Sequence, residues 1–285
     1  MKRWLATLAL LGVTTVWGWT FVLVRDAVLA YDVMGFLAIR FAIAAVAVLV
    51  VAHRRLSRRA LGAGLAIGLV LAAGYLLQTW GLKLTTATNS GLITGLFVVI
   101  GPLADRLLYG ARLPRHAVAA VTLSLAGMIL LTGGAPRGLA LGDLLTLGCA
   151  VAFGVHIAVL SHASPRFDPL ALTAAQMLSI AAVFSLLWPL SGPVTAPPRE
   201  VWFALGLTGL VASALAYLIQ TFAQRHLSTA RTAVILTMEP VFAGMFGYLL
   251  AGERLARVQW AGAVMILAAV LLSEVLPALR TGAEG

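Results

Sequence analysis

The chain contains 285 residues, of which 61% are hydrophobic and 11% are charged, and its mean hydropathy is +1.00. Soluble domains are about 45–50% apolar and about 25% charged, so the composition excludes a soluble globular protein. The net charge of +10 does not indicate a nucleic-acid partner, because the basic residues lie in short loops between apolar runs. The single cysteine, Cys149, excludes an intrachain disulfide and a thiolate metal cluster.

Ten apolar runs, separated by charged or Gly/Pro-rich breaks, predict ten membrane-spanning helices. The first run follows Lys2 and Arg3, is too long for the core of a signal peptide and lacks a small-residue cleavage pattern. At about 20 residues per span, ten helices leave about 85 residues for connections and tails, too few for a separate soluble domain. We therefore predict an all-α polytopic membrane protein with helices at 4–24, 35–52, 61–82, 88–109, 115–132, 142–160, 169–190, 200–222, 229–250 and 258–276.

The basic residues are distributed unequally between the two predicted faces of the membrane. The face that holds the N-terminus collects thirteen Lys and Arg residues, and Arg40 lies inside the second helix. The positive-inside rule therefore predicts a cytoplasmic (inner) membrane protein with both termini in the cytoplasm. The opposite face has six basic residues, namely Arg25, Lys83, Arg137, Arg199, Arg254 and Arg257.

The two halves of the chain repeat each other. Rare residue types recur at an offset of 136 in the first two helices of each half and at an offset of 142 in the next two. If the matches were a coincidence between apolar helices, they would mostly join common residues such as Leu, Ala, Val and Gly. Because each unit has five spans, an odd number, the second unit enters the membrane from the opposite side, as in alternating-access transporters. We therefore predict two inverted five-helix repeats, 1–134 and 135–285. The matches are Trp17-Gly18 with Phe153-Gly154, Asp32 with Asp168, Arg40 with Gln176, Tyr75 and Gln78 with Tyr217 and Gln220, and Gly110 with Gly252.

Two pairs of polar side chains lie inside predicted helices. Tyr75 and Gln78 are three residues apart and share a helix face, as do Tyr217 and Gln220. An aromatic ring, a hydroxyl and an amide together suit an amphipathic solute such as an amino acid. Hydrogen bonding between buried side chains of neighbouring helices explains the same pattern equally well.

Five further residues complete the predicted substrate-binding set. Trp17 lies deeper than an interfacial tryptophan should, and His156 aligns with a threonine of the first half. Arg40 has three open roles: binding a carboxylate, extending to the membrane surface, or tying the bundle together through carbonyl groups. The remaining candidates are Gln176, which aligns with Arg40, and Asn89, which precedes a GxxxG spacing.

Glu239 is predicted near the membrane midplane and is the candidate for coupling or gating, together with Pro240 and Pro102. A buried carboxylate can exchange protons or bind an amino group, or it can pair with Arg40 or a backbone donor. Each proline frees a carbonyl and bends its helix. Since Pro102 falls one turn later than the counterpart of Pro240, the halves are expected to bend at different depths.

The sequence contains no motif of a metalloprotease, P-loop ATPase, α/β-hydrolase or prenyltransferase, so an enzyme is not expected. The histidines have no metal-ligand spacing, and neither a metal nor a cofactor is predicted. The expected partners are a small-molecule substrate and the lipid bilayer, with no nucleic acid.

The ordered motifs resemble the drug/metabolite transporter superfamily, specifically its ten-helix EamA-type exporters. They are WGWTF at 17–21, RF at 40–41, the proline at 102, EP at 239–240 and GERL at 252–255. The run from 85 to 102 is similar to YddG-type amino-acid exporters. The resemblance implies export of amino acids, particularly aromatic ones, or of related metabolites and drugs, through a cavity between the halves. Two departures are GARL at 110–113, where a glutamate is frequent, and Phe153 in place of a tryptophan.

Three functions follow as hypotheses. The first is a cytoplasmic-membrane exporter of small amphipathic metabolites, chiefly amino acids, that works by alternating access around a central cavity. The second is a proton-coupled exporter of organic cations or drugs through Glu239. The third is a membrane scaffold or receptor that transports nothing.

Overall fold

The computed structural model describes residues 2–85, 87–131, 140–250, 254 and 256–282, and within these ranges every regular element is a helix. A π-helical turn, Leu210–Leu215, joins α9 to α10. The helices are α1 (Lys2–Ala30), α2 (Val33–Ala52), α3 (Arg58–Leu84), α4 (Ala87–Thr94), α5 (Phe97–Tyr109), α6 (Arg115–Leu131), α7 (Leu141–Ala163), α8 (Pro169–Ser191), α9 (Val201–Gly209), α10 (Ala216–Ala223), α11 (Thr229–Leu236), α12 (Met238–Leu250) and α13 (Arg257–Gly282).

Helices occupy each of the ten ranges predicted from the sequence. Among the described residues, seven helical stretches are long and apolar enough to cross a membrane. Two shorter apolar stretches lie in α6 and α13, at Arg115–Leu130 and Arg257–Leu272. The prediction of an all-α polytopic membrane protein is thereby confirmed. The predicted unit boundary at 134/135 lies outside the described residues.

The first helix is longer than predicted. It continues to Ala30, so Arg25, expected in the first loop, lies within α1. The residues from 25 to 30 contain neither glycine nor proline and are compatible with a helix. The next helix begins where the side chain of Asp32 accepts a hydrogen bond from the backbone amide of Gly35 at 2.7 Å.

Two predicted spans are interrupted, and both interruptions fall at equivalent positions. One lies at residues 95–96 between α4 and α5, and the other at Thr237 between α11 and α12. Thr237 is the counterpart of Gly95 at the repeat offset of 142. The expectation of bends at different depths is therefore wrong. The first break is a tight turn, in which the amide of Val98 donates to the carbonyl of Gly95, whereas Pro102 continues inside α5. The second, at Thr237, lies three residues before Pro240, whose missing N–H leaves the carbonyl of Leu236 without its helical donor.

Small residues bring the central helices together. An added Cβ on Gly64 would clash with Cβ of Ala175, and one on Gly68 would lie 2.6 Å from Cβ of Ser179. These contacts pack α3 closely against α8, which also packs on α2. Many large apolar side chains on the outer faces are exposed, for example Leu107 and Leu186, as a surface in contact with lipid requires. The interior of the bundle encloses a cavity.

Candidate functional site

A central cavity lies between the helices, lined by residues of α1, α2, α3, α5, α7, α10, α11 and α12. Six aromatic side chains line it, namely Trp17, Phe21, Tyr75, Phe97, Phe153 and Tyr217. The residues predicted from the sequence that line it are Trp17, Arg40, Tyr75, Gln78, His156, Tyr217, Gln220 and Glu239.

Tyr75 and Tyr217, which the repeat aligns, meet in this cavity. The hydroxyl of Tyr217 donates to that of Tyr75 at 2.9 Å, and the rings pack edge to face with centroids 6.1 Å apart. Phe41 and Phe153 pack against Tyr75, at 4.7 and 5.4 Å. The two tyrosines are therefore held rigidly, with α3 joined to α10 at the centre of the bundle.

The side chain of Arg40 is buried and has partners on two other elements. Its side chain is 3% exposed and does not extend to the membrane surface. Its Nε donates to Oγ of Ser213 at 3.0 Å, and Nη2 donates to the hydroxyl of Tyr75 at 3.3 Å. The guanidinium also stacks over the Tyr75 ring, 4.7 Å from its centroid. Arg40 thus ties α2 to α3 and to the π-helical turn, and it lines the cavity as well.

Trp17 contacts the same π-helical turn. Its indole Nε1 donates to the carbonyl of Ala212 at 2.8 Å, and its ring packs 5.4 Å from that of Tyr217. π-Helical turns occur frequently at functional sites. This turn supplies both Ser213 and Ala212 as partners to side chains of the first half.

His156 lines the cavity, whereas Gln176 lies behind it. Nε2 of His156 and Oε1 of Gln176 are 2.9 Å apart, and the Gln176 amide donates to the carbonyl of Leu172 at 3.3 Å. Gln176 is therefore in contact with a predicted site residue rather than with the cavity, where it was expected. Its amide fixes the orientation of the imidazole.

Gln78 and Gln220, the glutamines of the two polar pairs predicted from the sequence, both line the cavity. Nε2 of Gln78 donates to Oγ1 of Thr94 at 3.4 Å. Nε2 of Gln220 donates to Gln224 at 3.1 Å, while Oε1 of Gln220 is buried without a hydrogen bond to a described residue. A buried acceptor without a partner costs about 1–3 kcal/mol, so this oxygen is suited to a donor on a bound solute.

Glu239 is the carboxylate of this cavity, and its side chain is 6% exposed. In the part of the chain that the structure describes, it forms no hydrogen bond and no ion pair, so the alternative in which it pairs with Arg40 is not observed. Burying a charge without a partner is costly, and such residues mark solute or ion pathways in membrane proteins. Pro240 follows Glu239 at the helix break, and neither Pro240 nor Pro102 lines the cavity.

Two predicted features fall partly outside the described residues. Asn89 belongs to α4, but its side chain is not among those described, and three of the four residues of the GERL motif are also outside. Sequence reasoning missed Phe153 as a lining residue, although its alignment with Trp17 could have identified it. Among the described residues, no group of three His, Cys, Asp or Glu side chains could hold a metal ion.

The chain is similar to known proteins both in sequence and in fold. The sequence profile of the EamA-like transporter family matches residues 4–133 and 140–274. An uncharacterized transporter of Archaeoglobus fulgidus is 34% identical over 275 residues, which cover 95% of this chain and 86% of that protein. Another from the same organism is 26% identical over 208 residues, covering 70% and 71%. A protein of known crystal structure superposes with a TM-score of 0.78 at 20% identity, covering 95% of this chain and 96% of that one, and shows the shared fold.

Proposed function

The chain belongs to the EamA-like transporter family and is a membrane transporter rather than an enzyme, and on this basis we propose what it carries and how. The substrates are small amphipathic metabolites, chiefly amino acids, including aromatic ones. They leave the cell through the central cavity by alternating access. One observation carries the proposal: a cavity with aromatic walls in which Arg40 and Glu239 do not pair with each other.

The polar groups of the cavity support a zwitterionic substrate. A guanidinium has five N–H donors, and the hydrogen bonds to Ser213 and Tyr75 leave others for a carboxylate. Glu239 offers an acceptor for an ammonium group. The side chain of the substrate then packs against the aromatic walls, where apolar area contributes about 25 cal/mol per Å² buried.

The contacts of two aligned glycines support the inverted repeat on which alternating access depends. Gly18 lets α1 approach α12, and its counterpart Gly154 lets α7 approach α5. The residues they meet are also aligned at the offset of 142. The family profile matches two stretches of the chain, which agrees with units of five helices each at 1–134 and 135–285, ten spans in all. The contact residues are Phe242 and Ala243 for Gly18, and Ile100 and Gly101 for Gly154.

The helix caps support the same symmetry. Asp32 caps α2 by accepting from Gly35, and its counterpart Asp168 caps α8 by accepting from Leu170 and Ala171 at 3.0 and 3.1 Å. With an odd number of spans per unit, the second unit enters the membrane from the opposite side. The excess of Lys and Arg on one face supports an orientation in the cytoplasmic membrane with both termini inside.

A second candidate function is export of organic cations. Neither the Glu239 carboxylate nor Oε1 of Gln220 has a hydrogen-bond partner among the described residues, and together they favour a positively charged solute with hydrogen-bond donors. Aromatic walls bind cations as well as apolar groups. The two candidates differ in whether the substrate also requires Arg40.

The experiment is flux through the purified protein in liposomes. Labelled amino acids and the lipophilic cation tetraphenylphosphonium are supplied separately, with and without a pH gradient. We expect saturable flux of a subset of amino acids, with a large loss in Glu239→Gln and none in the matched control Glu200→Gln, whose side chain is exposed. A response to the gradient identifies proton coupling, and its absence identifies facilitated diffusion.

The variants separate the candidates. Loss of cation flux in Glu239→Gln with amino-acid flux intact would favour the cation exporter. Flux of neither class, in protein that remains folded in the membrane, would contradict both proposals and would indicate a substrate of another class.

A further inference from the structure

Two glutamines at the end of α10, Gln220 and Gln224, form a chain of hydrogen bonds that leads away from the central cavity. Gln220 lines the cavity, and its Nε2 donates to Oε1 of Gln224 at 3.1 Å. Nε2 of Gln224 donates to the carbonyl of Ile157 at 2.8 Å and to Oγ of Ser161 at 2.7 Å. Both glutamine side chains are 1% exposed, so neither amide turns toward solvent or lipid.

These hydrogen bonds fix which end of each amide faces its neighbour. A backbone carbonyl can only accept, so the nitrogen of Gln224 must face Ile157 and its oxygen must face Gln220. Gln220 must in turn direct its nitrogen toward Gln224. Its Oε1 is therefore left on the side of the cavity, where it is buried without a hydrogen bond to a described residue.

His156 supplies a second acceptor by the same reasoning. Nε2 of Gln176 donates to the carbonyl of Leu172, so Oε1 of Gln176 faces Nε2 of His156, 2.9 Å away. That ring nitrogen then carries the hydrogen, and Nδ1 of the neutral imidazole is an acceptor. His156 lines the same cavity as Gln220 and packs edge to face on Tyr217, with ring centroids 5.8 Å apart. This part of the cavity is therefore matched to a solute that donates hydrogen bonds.

We propose that Gln220 determines specificity by selecting amino acids whose side chain carries a hydrogen-bond donor, such as the indole N–H of tryptophan. The inference rests on the proposed function. The partner of Arg40 precedes Tyr217 by four residues, and Gln220 follows it by three. A solute whose carboxylate binds Arg40 would therefore extend its side chain past Tyr217 to Gln220. A donor there pairs the buried oxygen, whereas a substrate without one leaves it unpaired. Gln224 acts through Gln220 as a positioning residue.

The test compares transport of tryptophan with that of 3-benzothienylalanine, in which a sulfur atom replaces the indole N–H and the ring shape is nearly unchanged. Each labelled compound is supplied separately to liposomes that contain the purified protein, and initial rates are measured well below saturation. Gln220→Met removes the acceptor, and Gln224→Met removes its anchor. The control, Thr221→Val, removes the hydrogen bond that Thr221 accepts from Thr173 outside the cavity.

We expect the wild-type protein and the control to transport tryptophan about tenfold faster than the analogue, and both methionine variants to lose this preference. A change that only loosened the fold would lower both rates together and leave their ratio unchanged. The inference is overturned if the wild-type protein transports both compounds equally, or if either methionine variant keeps the preference. The wild-type arm and Gln224→Met decide the question if Gln220→Met does not fold.

Phenylalanine, which lacks a side-chain donor, separates this inference from the proposed function. Flux of phenylalanine at the rate of tryptophan or above it would overturn the selection by Gln220 and leave amino-acid transport standing. Flux of none of the amino acids would overturn the proposed function together with the inference.

Discussion

Replacing Gly18 by alanine tests how closely α1 approaches α12. The added Cβ would lie 2.6 Å from Cβ of Phe242, 2.8 Å from the backbone nitrogen of Ala243 and 2.9 Å from the carbonyl oxygen of Glu239. Carbon atoms in optimal contact are about 3.5–4.0 Å apart, so the helices must separate by roughly 1 Å. Two of the three atoms belong to the backbone and cannot move by a change of rotamer.

The cost can be measured against a control in the same helix. A Cβ on Gly12 meets nothing within 4 Å, so Gly12→Ala is expected to be neutral or to stabilise by up to about 1 kcal/mol. Overpacking typically costs about 1–3 kcal/mol. We therefore expect Gly18→Ala to be less stable than Gly12→Ala by about 1–4 kcal/mol. The assay is equilibrium unfolding in mixed micelles with increasing dodecyl sulfate, followed by circular dichroism.

The same experiment in the second half tests the repeat. A Cβ on Gly154 would lie 2.6 Å from Cγ2 of Ile100 and 3.0 Å from the backbone nitrogen of Gly101, so a similar loss is expected. If Gly18→Ala is as stable as Gly12→Ala, the close approach of α1 to α12 is refuted. If Gly18→Ala is destabilised while Gly154→Ala is not, the equivalence of the two halves fails.

Two further variants test the centre of the cavity. Trp17→Phe removes the donor to the carbonyl of Ala212 and leaves that acceptor without its partner. We therefore expect it to lower the free energy of unfolding by about 1–3 kcal/mol in the same micelle assay. An unchanged free energy of unfolding would contradict this contact. Tyr75→Phe removes the hydroxyl that accepts hydrogen bonds from Tyr217 and Arg40. We expect it to lower substrate flux into liposomes, whereas the control Tyr248→Phe, at an exposed position, should leave the flux unchanged. Equal flux through the two variants would exclude the Tyr75 hydroxyl from the site.

Much of this site could be predicted because membranes make polar residues conspicuous. A tyrosine, arginine or glutamate inside an apolar run must face a partner or a cavity, and Tyr75, Arg40 and Glu239 all line one cavity. Tyr75 and Tyr217 stand at aligned positions of the repeat, and the structure adds that their hydroxyls form a hydrogen bond. Rare residue types in corresponding positions were therefore more informative than any single motif.

The parts that could not be predicted depend on backbone geometry and on the choice of partner. Nothing in the residues from Leu210 to Leu215 distinguishes a π-helical turn from an α-helix, yet this turn holds Ser213, the partner of Arg40. Periodicity shows that Gln176 is polar and within a span, but not that it faces His156 instead of the cavity. Similarly, a proline is visible in a sequence as a helix breaker, whereas the turn at Gly95 is visible only in the structure.

The hydrogen bonds at the centre set the energy scale of the proposed motion between the halves. Three of the bonds that cross from one predicted half to the other end on the stretch from Leu210 to Tyr217, and others, such as Ser179 to Leu65 and Ser124 to Thr237, lie elsewhere in the bundle. Each contributes a net stabilisation of about 0.5–1.5 kcal/mol, or about 1.5–3 kcal/mol for the charged donor Arg40. Together these three bonds contribute a few kcal/mol to the observed arrangement of the helices, in addition to the other bonds between the halves. A solute that supplies a carboxylate to Arg40 and an ammonium group to Glu239 would form new contacts while these hydrogen bonds break. The new contacts would compensate for part of the lost free energy and would link substrate binding to the movement of residues 210–217. The three bonds are Trp17 to Ala212, Arg40 to Ser213 and Tyr217 to Tyr75.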